Sequence, residues 1–388
     1  FTRHARRFSS LIEANFGLPE EEVALQEAAL SFANAEMKPN ADKWDEDHIF
    51  PKDTFRAAGQ LGYGGLFAKS DHGGSELSRL SGSVILEALA TGCVTSAVYV
   101  SIHNMVGSTI DKYANDEQRA KWMPQLNSFE WCSSYCLTEP GSGSDAAGMV
   151  TSAKESGEDY VLNGSKMFIS GGDASDLYLV FCKTGEKEIS AVVVEQGTPG
   201  LGFGKRERKM GWNAQPTTLV TFDNVKIPKA NLIGGKGEGF KIAMNALNGG
   251  RVNISSCALG GAWDALSRTK QYMGERKQFK KHLNEFQFLT FTMADQLTDF
   301  HASRFYTRNA AQALDREDPE RAVLAAMAKK FTVNTCYNIV DRCLQMHGGY
   351  GYLKDYGIER ILRDLRVFSI VEGTDEVCRL VVSRKLFS

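Results

Sequence analysis

Between about Glu20 and Ser128 apolar residues recur at helical spacing, as in Val23-Leu25-Ala28-Ala29-Phe32 and Val84-Ile85-Ala88-Leu89. Glycine clusters, Gly62-Tyr63-Gly64-Gly65 and Gly73-Gly74, punctuate this block. From Trp131 to about Ile233 the pattern changes to short β-prone runs, at Tyr160-Val161-Leu162, Met167-Phe168-Ile169, 177–181, 189–194 and 219–222. Asn163-Gly164 lies between the first two and predicts a tight hairpin there. After Gly239 the helical period returns and continues almost to the end. Leu289, Met293, Leu297 and Phe300 form one stripe, and Ala325, Ala328, Phe331 and Val333 belong to another apolar face. The order is α, then β, then α, with no internal repeat and no low-complexity linker. The predicted class is α+β, with a short leader (1–12), a helical block (13–130), a β block (131–233) and a second helical block (234–388). A β block between two helical ones makes a layered molecule with a cleft between domains, the usual place for a cofactor.

Composition narrows the functional classes. The 388 residues are enough for two or three domains, and 43% hydrophobic with 24% charged residues is ordinary for a folded chain. Lys plus Arg (45) nearly balance Asp plus Glu (47), so a net charge of -2 offers no field for gripping nucleic acid or a membrane surface. Any anionic ligand must be met by local groups. Eight cysteines without a C-x-x-C pair read as small buried hydrophobes in a reducing compartment. The seven histidines are dispersed, with no H-E-x-x-H, so no metal site is expected. No apolar run approaches the ~18–20 residues of a membrane span. The first ten residues, with Arg3, Arg6 and Arg7, no acid and several hydroxyls, look like the tail of a mitochondrial transit peptide. The plain alternative is a frayed basic terminus.

Several stretches carry possible chemistry, each with a bland alternative. Gly141-Ser142-Gly143-Ser144-Asp145-Ala146 formally matches the dinucleotide fingerprint G-x-G-x-x-A, but a hairpin rather than a βαβ unit is predicted after it, which excludes that reading. Its glycines and serines still free backbone N–H groups for carbonyl or phosphate oxygens; a surface turn is the alternative. Phe168-Ile169-Ser170-Gly171-Gly172 ends a strand with a ring and a hydroxyl, able to lie against a flat heterocycle or simply to end in a core Phe. Gln345-Met346-His347-Gly348-Gly349 closes a helix with glycines, either as a cap or as a close approach to a cofactor; a lone His there is more often structural. Arg276-Lys277-Gln278-Phe279 suits a pyrophosphate or a solvated helix end, and Asn248-Gly249-Gly250-Arg251 has the same ambiguity. In Ile370-Val371-Glu372-Gly373-Thr374-Asp375-Glu376, Thr374 reads as an N-cap. Glu372 sits just before it, where desolvation raises a carboxyl toward the pKa of a useful base; a surface Glu at a helix entrance is the alternative.

Together and in this order, the stretches resemble the acyl-CoA dehydrogenase family over nearly everything after the basic leader. The resemblance implies that family's fold: an N-terminal helical domain, a middle β-sheet domain and a C-terminal four-helix-bundle domain. It implies FAD as cofactor, with Tyr135, Cys136, Leu137, Thr138, Gly143 and Ser144 along the flavin and Phe168, Ile169 and Ser170 on its other side. Arg276, Lys277, Gln278, Phe279, Phe286 and Gln287, with Gln345, Met346, His347, Gly348 and Gly349, would hold the pyrophosphate and adenosine, partly across a subunit boundary of a homotetramer. Thr374, Asp375 and Glu376 would close over the same cofactor. Ser144, Asn248, Gly249, Gly250, Arg251, Gly373 and Arg384 would meet the acyl-CoA. Some relatives place the base immediately before the counterpart of Arg251; here that residue is Gly250, which cannot serve, and Glu372 occupies the other base position. Val371 stands where several relatives have an aromatic residue.

The implied reaction is removal of an α-proton by Glu372 with transfer of the β-hydride to the flavin, followed by electron delivery to an electron-transferring flavoprotein. Ser101-Ile102-His103-Asn104-Met105, Leu137 to Ala147, Leu247 to Arg251 and Gln345 to Tyr356 look most like the branch that converts isobutyryl-CoA to methacrylyl-CoA in valine breakdown. A mitochondrial matrix location goes with it. The competing readings are another short or branched acyl preference (2-methylbutyryl or butyryl), an oxidase on the same scaffold, and a non-catalytic assembly protein of the same fold.

Overall fold

A computed structural model describes residues 11–13 and 15–388. Residues 1–10 of the expected leader lie outside the described residues, but its end does not behave as a tail. Leu11–Glu13 form a 3-10 turn with Ile12 buried, and His301 Nε2 and Arg304 Nη1 donate to the carbonyls of Leu11 (2.9 Å) and Ile12 (3.3 Å). Ile12 thus packs with the folded chain.

Six helices come first: α1 (Glu20–Phe32), α2 (Ala41–Glu46), α3 (Lys52–Gln60), α4 (Arg79–Ala90), α5 (Val94–Tyr113) and α6 (Asp116–Asn127). α4 is buried all round from Leu80 to Ala90, which its run of small and aliphatic residues permits. Each fully buried Val, Leu or Ile contributes ~1.5–3 kcal/mol. Its N-terminus is closed twice, by the Ser78 side chain accepting from Ser81 N (3.0 Å) and by Asp315 accepting from the N–H groups of Arg79 and Leu80 (2.6 and 3.1 Å).

The middle block is an eight-stranded sheet: β1 (Ser133–Cys136), β2 (Ser152–Ser156), β3 (Asp159–Ser170), β4 (Leu177–Lys183), β5 (Ile189–Glu195), β6 (Leu201–Phe203), β7 (Thr217–Pro228) and β8 (Leu232–Ile233). Its order is β6-β7-β3-β2-β4-β5-β8, with β1 parallel to β4. The hairpin expected at Asn163-Gly164 is absent. β3 runs straight through that pair, and the turn to β2 is made at Gly157 instead. Asn163-Gly164 is a bulge: the register against β7 shifts between Leu162 and Gly164, Gly164 takes a φ of +139°, and a Cβ there would sit 2.5 Å from Thr151 Oγ1. Pairing with β2 and β7 on both sides outweighs the local turn preference.

The last block holds α7 (Gly239–Glu275), a small hairpin of β9 (Lys277–Gln278) and β10 (Lys281–His282), α8 (Gln287–Asp315), α9 (Arg321–His347), α10 (Ile358–Arg366) and α11 (Asp375–Leu386). α9 packs on α7, α8 and α11, and α7 also packs on α4 and α5. Of the predicted faces, Leu289, Met293, Leu297 and Phe300 pack toward the core, but Phe331 is exposed while Ala325, Ala328 and Val333 are buried. Position 331 is off the buried arc of α9, which small residues dominate. α10 ties the blocks together: Arg360 and Arg363 pair with Asp42 and Asp45 (2.9 and 2.7 Å), and Asp364 accepts from Trp212 N and Thr95 Oγ1 (2.7 and 3.0 Å). All eight cysteines are buried and unbridged, as small hydrophobes.

Candidate active site

Glu372 lies in the turn between α10 and α11, where the chain is left-handed at two successive residues, Glu372 (φ +57°) and Gly373 (φ +87°). A non-glycine residue there is strained and needs fixing by its surroundings. Two cations do so through consecutive carbonyls: Arg251 Nε donates to Glu372 O (3.2 Å) and Lys329 Nζ to Gly373 O (2.9 Å). Thr374 then caps α11 by accepting from Val377 N (3.2 Å), as its sequence position predicts.

The Glu372 side chain turns onto α7, and a Cβ on Gly250 would overlap its Oε2. Oε2 is buried without a hydrogen-bond partner among the described residues. Burial pushes the carboxyl up to about 7, against the opposing pull of Arg251 and Lys329. Asn248 accepts from Arg251 Nη1 (3.1 Å), so the Asn248–Arg251 stretch and the Glu372 turn form one unit. Tyr135 of β1 is the next neighbour: burial, and then the charge of Glu372, raise its phenol well above the ordinary range.

A second element of the site is the loop after β1. Met167 N donates to Thr138 O (2.8 Å), and Lys166 Nζ donates to Leu137 O (2.9 Å) and pairs with Glu139 (2.8 Å). Lys166 and Glu139 are both buried; burial works against the Glu139 carboxylate, but bonds from Lys166, Val150 and Thr151 outweigh it and hold its pKa below the ordinary value. This fastening went unread in the sequence, although a Lys in phase with the inward-facing Leu162 on a strand was a signal. Gly141, Gly143 and Ser144 are exposed, with open space around both glycines. Beside the loop, a second irregularity in β3 gives Phe168 a φ of +59° and leaves its ring 64% exposed, while Ile169 goes into the sheet core and Ser170 is half-buried. A strained backbone that presents a large apolar ring outward leaves the ring face open to a flat partner. Cys136 and Leu137, by contrast, are buried in two different core clusters and have only backbone to offer.

The remaining expected residues are elsewhere. Arg276, Gln278 and Gln345 to Gly349 line a cavity of about 400 Å³ with Tyr272 and Tyr350, and a Cβ on Gly348 or Gly349 would meet nothing within 4 Å. Arg276 lies over the Tyr350 ring (5.1 Å); Met346 points into the core. Lys277 and Gln287 are exposed, and Phe279 (87% exposed) stands at the hairpin tip with its ring edge-on to Phe286. This cavity is at the C-terminal end of α9, eighteen residues or about 27 Å of helix beyond Lys329. Arg276 therefore lies with the 345–349 segment and is not brought to Glu372. His347, stacked on Tyr272 (4.3 Å) and bonded through Nδ1 to Cys343 O (2.8 Å), belongs to that cavity. Asp375 accepts from Asn334 (2.7 Å), Glu376 is exposed and paired with Arg379 (3.0 Å), and Arg384 is exposed in the last turn of α11.

Residues 19–130, 134–225 and 237–387 match, respectively, the families described as acyl-CoA dehydrogenase N-terminal, middle and C-terminal domains. The chain belongs to the acyl-CoA dehydrogenase family. It is 51% identical over 383 residues to a mitochondrial isobutyryl-CoA dehydrogenase of Dictyostelium discoideum, covering 98% of this chain and 92% of that one. It is 50% identical over 380 residues to the mitochondrial isobutyryl-CoA dehydrogenase of Bos taurus, covering 97% and 91%. Among solved structures it is similar to a Mycobacterium smegmatis glutaryl-CoA dehydrogenase in complex with FADH2, with a TM-score of 0.90, 27% identity and 95% of each chain covered. The helix–sheet–helix fold is the acyl-CoA dehydrogenase fold, and the family makes the chain an oxidoreductase.

Proposed function

We propose that this acyl-CoA dehydrogenase converts isobutyryl-CoA to methacrylyl-CoA, with Glu372 as the base that takes the α-proton. The observation that carries the base assignment is the Glu372 carboxyl itself: on a half-buried residue, with Oε2 buried over Gly250 and unpartnered, and raised to about 7, it is basic enough to accept a proton and free to do so. Isobutyryl-CoA follows from the half-identity to the relatives of that name. FAD, when bound, supplies the hydride acceptor. The residues present fit it: the outward Phe168 ring and the half-buried Ser170 suit one side of a flat heterocycle, and the exposed glycine–serine turn suits the other. Arg276, Gln278 and the open Gly348-Gly349 backbone suit a pyrophosphate.

In this reading Glu372 does two things. Its backbone N–H donates to the thioester oxygen as negative charge builds there, and its carboxylate removes the α-proton. Arg251 holds the turn, and Ser144, Asn248 and Arg384 meet the acyl-CoA. The Arg276 cavity lies about 27 Å of helix beyond Lys329, a separation that supports a complete site taking groups from two chains. The exposed Phe279, Phe288 and Phe291 beside that cavity are suited to such an interface, within a homotetramer. Electrons would pass to an electron-transferring flavoprotein; the relatives' names support a mitochondrial location, and the matrix is the compartment we assign within it. The test is an anaerobic titration of the yellow enzyme with a panel of acyl-CoAs while flavin absorbance is followed. Isobutyryl-CoA is expected to bleach it with higher efficiency than octanoyl-CoA, with 2-methylbutyryl-CoA retaining some activity, since one methylene shifts discrimination by ~1–3 kcal/mol. A higher efficiency with octanoyl-CoA would overturn the substrate assignment.

A further inference from the structure

Lys329 has no ordinary reason to be where it is. It sits on α9 with Ala325, Ala326 and Ala328, its side chain fully buried, in a setting that costs an unpaired ammonium several kcal/mol. It spends one hydrogen on the Gly373 carbonyl (2.9 Å) and lies 3.7 Å from Asp375 Oδ1. Asp375 is kept from closing further by Asn334, five residues along α9, whose Nδ2 donates to the other carboxylate oxygen (2.7 Å). The groups around Glu372 and Lys329 are Arg251 from α7, Tyr135 from β1, and Asp375 and Cys378 from α11. Burial keeps the Tyr135 phenol and the Cys378 thiol neutral, so the charges that matter are the two cations and the Asp375 carboxylate.

We propose that Lys329 is a positioning residue for the reaction: its buried side chain holds the Gly373 carbonyl, and with it the left-handed turn that aims the Glu372 carboxylate. The inference rests on Glu372 being the base. Arg251 grips the preceding carbonyl, so the turn is pinned at both of its left-handed residues from two different helices. Without Lys329 the Gly373 carbonyl is released and one of the two positive charges offsetting the burial of Glu372 is gone.

The experiment uses the flavin-loaded enzyme, with isobutyryl-CoA as the probe, and the variants Lys329→Gln, Lys329→Arg and Glu372→Gln. The rate of anaerobic flavin bleaching is followed from pH 5.5 to 9.5, and amide hydrogen exchange is measured over residues 371–377. Lys329→Gln is expected to move the midpoint of the pH profile up by ~0.5–1 unit, because a positive charge near a carboxylate is lost. Its plateau rate should fall ~10²-fold with little change in KM, since a displaced base misses the near-attack geometry, and exchange over 371–377 should quicken. Lys329→Arg, which keeps the charge, should return the midpoint toward wild type. A folded, flavin-loaded Lys329→Gln with the wild-type midpoint and wild-type exchange overturns the inference. If that variant does not fold, Asn334→Ala replaces it: freeing Asp375 to neutralise Lys329 should raise the midpoint, and an unchanged midpoint overturns the inference. Bleaching of Glu372→Gln at the wild-type rate would instead overturn the base assignment, whatever Lys329 does.

Discussion

The carboxylate of Glu372 occupies the space that a side chain on Gly250 would need. Glycine at 250 is therefore part of what places the Glu372 carboxylate, because only a residue without a Cβ lets a carboxylate from the turn before α11 rest on α7. Gly250→Ala should push Glu372 aside by about the width of a methyl group. A displacement of that size costs on the order of 10²-fold in rate. We expect normal flavin content and thermal stability close to wild type, with a bleaching rate reduced by that factor; an unchanged rate would show that the carboxylate has another working position.

Glu372→Gln keeps the size of the side chain but cannot accept a proton. Turnover should fall by ~10⁴-fold or more, while His347→Gln and Glu376→Gln, which alter residues far from the carboxylate or facing solvent, should retain chemistry. The same variant should be more stable than wild type in alkali. A carboxyl at about 7 in the folded state and about 4.5 unfolded binds its proton more tightly when folded, so wild-type stability falls as pH rises from about 4.5 to 7 and the loss is complete above that. The gap is at most roughly 3–4 kcal/mol, at 1.36 kcal/mol per unit, and smaller to the extent that solvent reaches the half-buried residue. Thermal melts at pH 5 and pH 8.5 check this: the variant should lead only at the higher pH.

The buried pair of Lys166 and Glu139 should behave asymmetrically. Removing one partner, as in Lys166→Met, leaves a charge without compensation and costs ~3–5 kcal/mol. Replacing both, as in Lys166→Met with Glu139→Leu, should recover much of the stability but not the position of the 137–145 loop, which Glu139 ties through Val150 and Thr151. Denaturant melts paired with a flavin-affinity measurement separate the two effects. Equal recovery of both would mean that the pair does no more than fill space.

His103 gives the fold an acid limit. Its Nε2 donates to Leu126 O (2.8 Å), its Nδ1 faces the Ser133 hydroxyl (2.9 Å), and its ring stacks on Phe129 (4.0 Å). Burial pushes its pKa down to about 4, so the folded state holds fewer protons than the unfolded one between about 4 and 6.5. Stability should therefore rise with pH across that window and level off above it. In His103→Gln the baseline will be lower, but this slope should shrink; an identical slope would assign the acid sensitivity to other groups.

Arg276→Ala removes the cation of the far half-site. Loss of flavin on gel filtration, together with dissociation into smaller species, is the expected outcome, since a ligand held between chains stabilises both fold and assembly. A wild-type enzyme that sediments as a monomer while fully loaded with flavin would rule out a shared site.

Much of the architecture was legible along the chain because it rests on local periodicity. The α–β–α order, the Thr374 cap and the burial of all eight cysteines needed only spacing and composition. Asn163-Gly164 was misread because a two-residue turn preference is worth little against a twelve-residue strand paired on both sides. Phe331 shows a similar failure: apolar character marked it for the buried face, but its position on α9 lies outside the packed arc.

The site divides along the same line. Sequence alone determined which residues carry reactive groups, and in Glu372 it marked a carboxyl just outside a helix cap with apolar neighbours. What it could not hold is the distance between residues far apart in the chain. Only the folded molecule decides that Glu372 rests on Gly250, that Arg251 and Lys329 reach the carbonyls of Glu372 and Gly373 from separate helices, and that His347 stands about 27 Å of helix beyond Lys329. The pKa of a carboxyl depends on what surrounds it within a few ångströms, and those surroundings are supplied by helix packing rather than by neighbours in sequence.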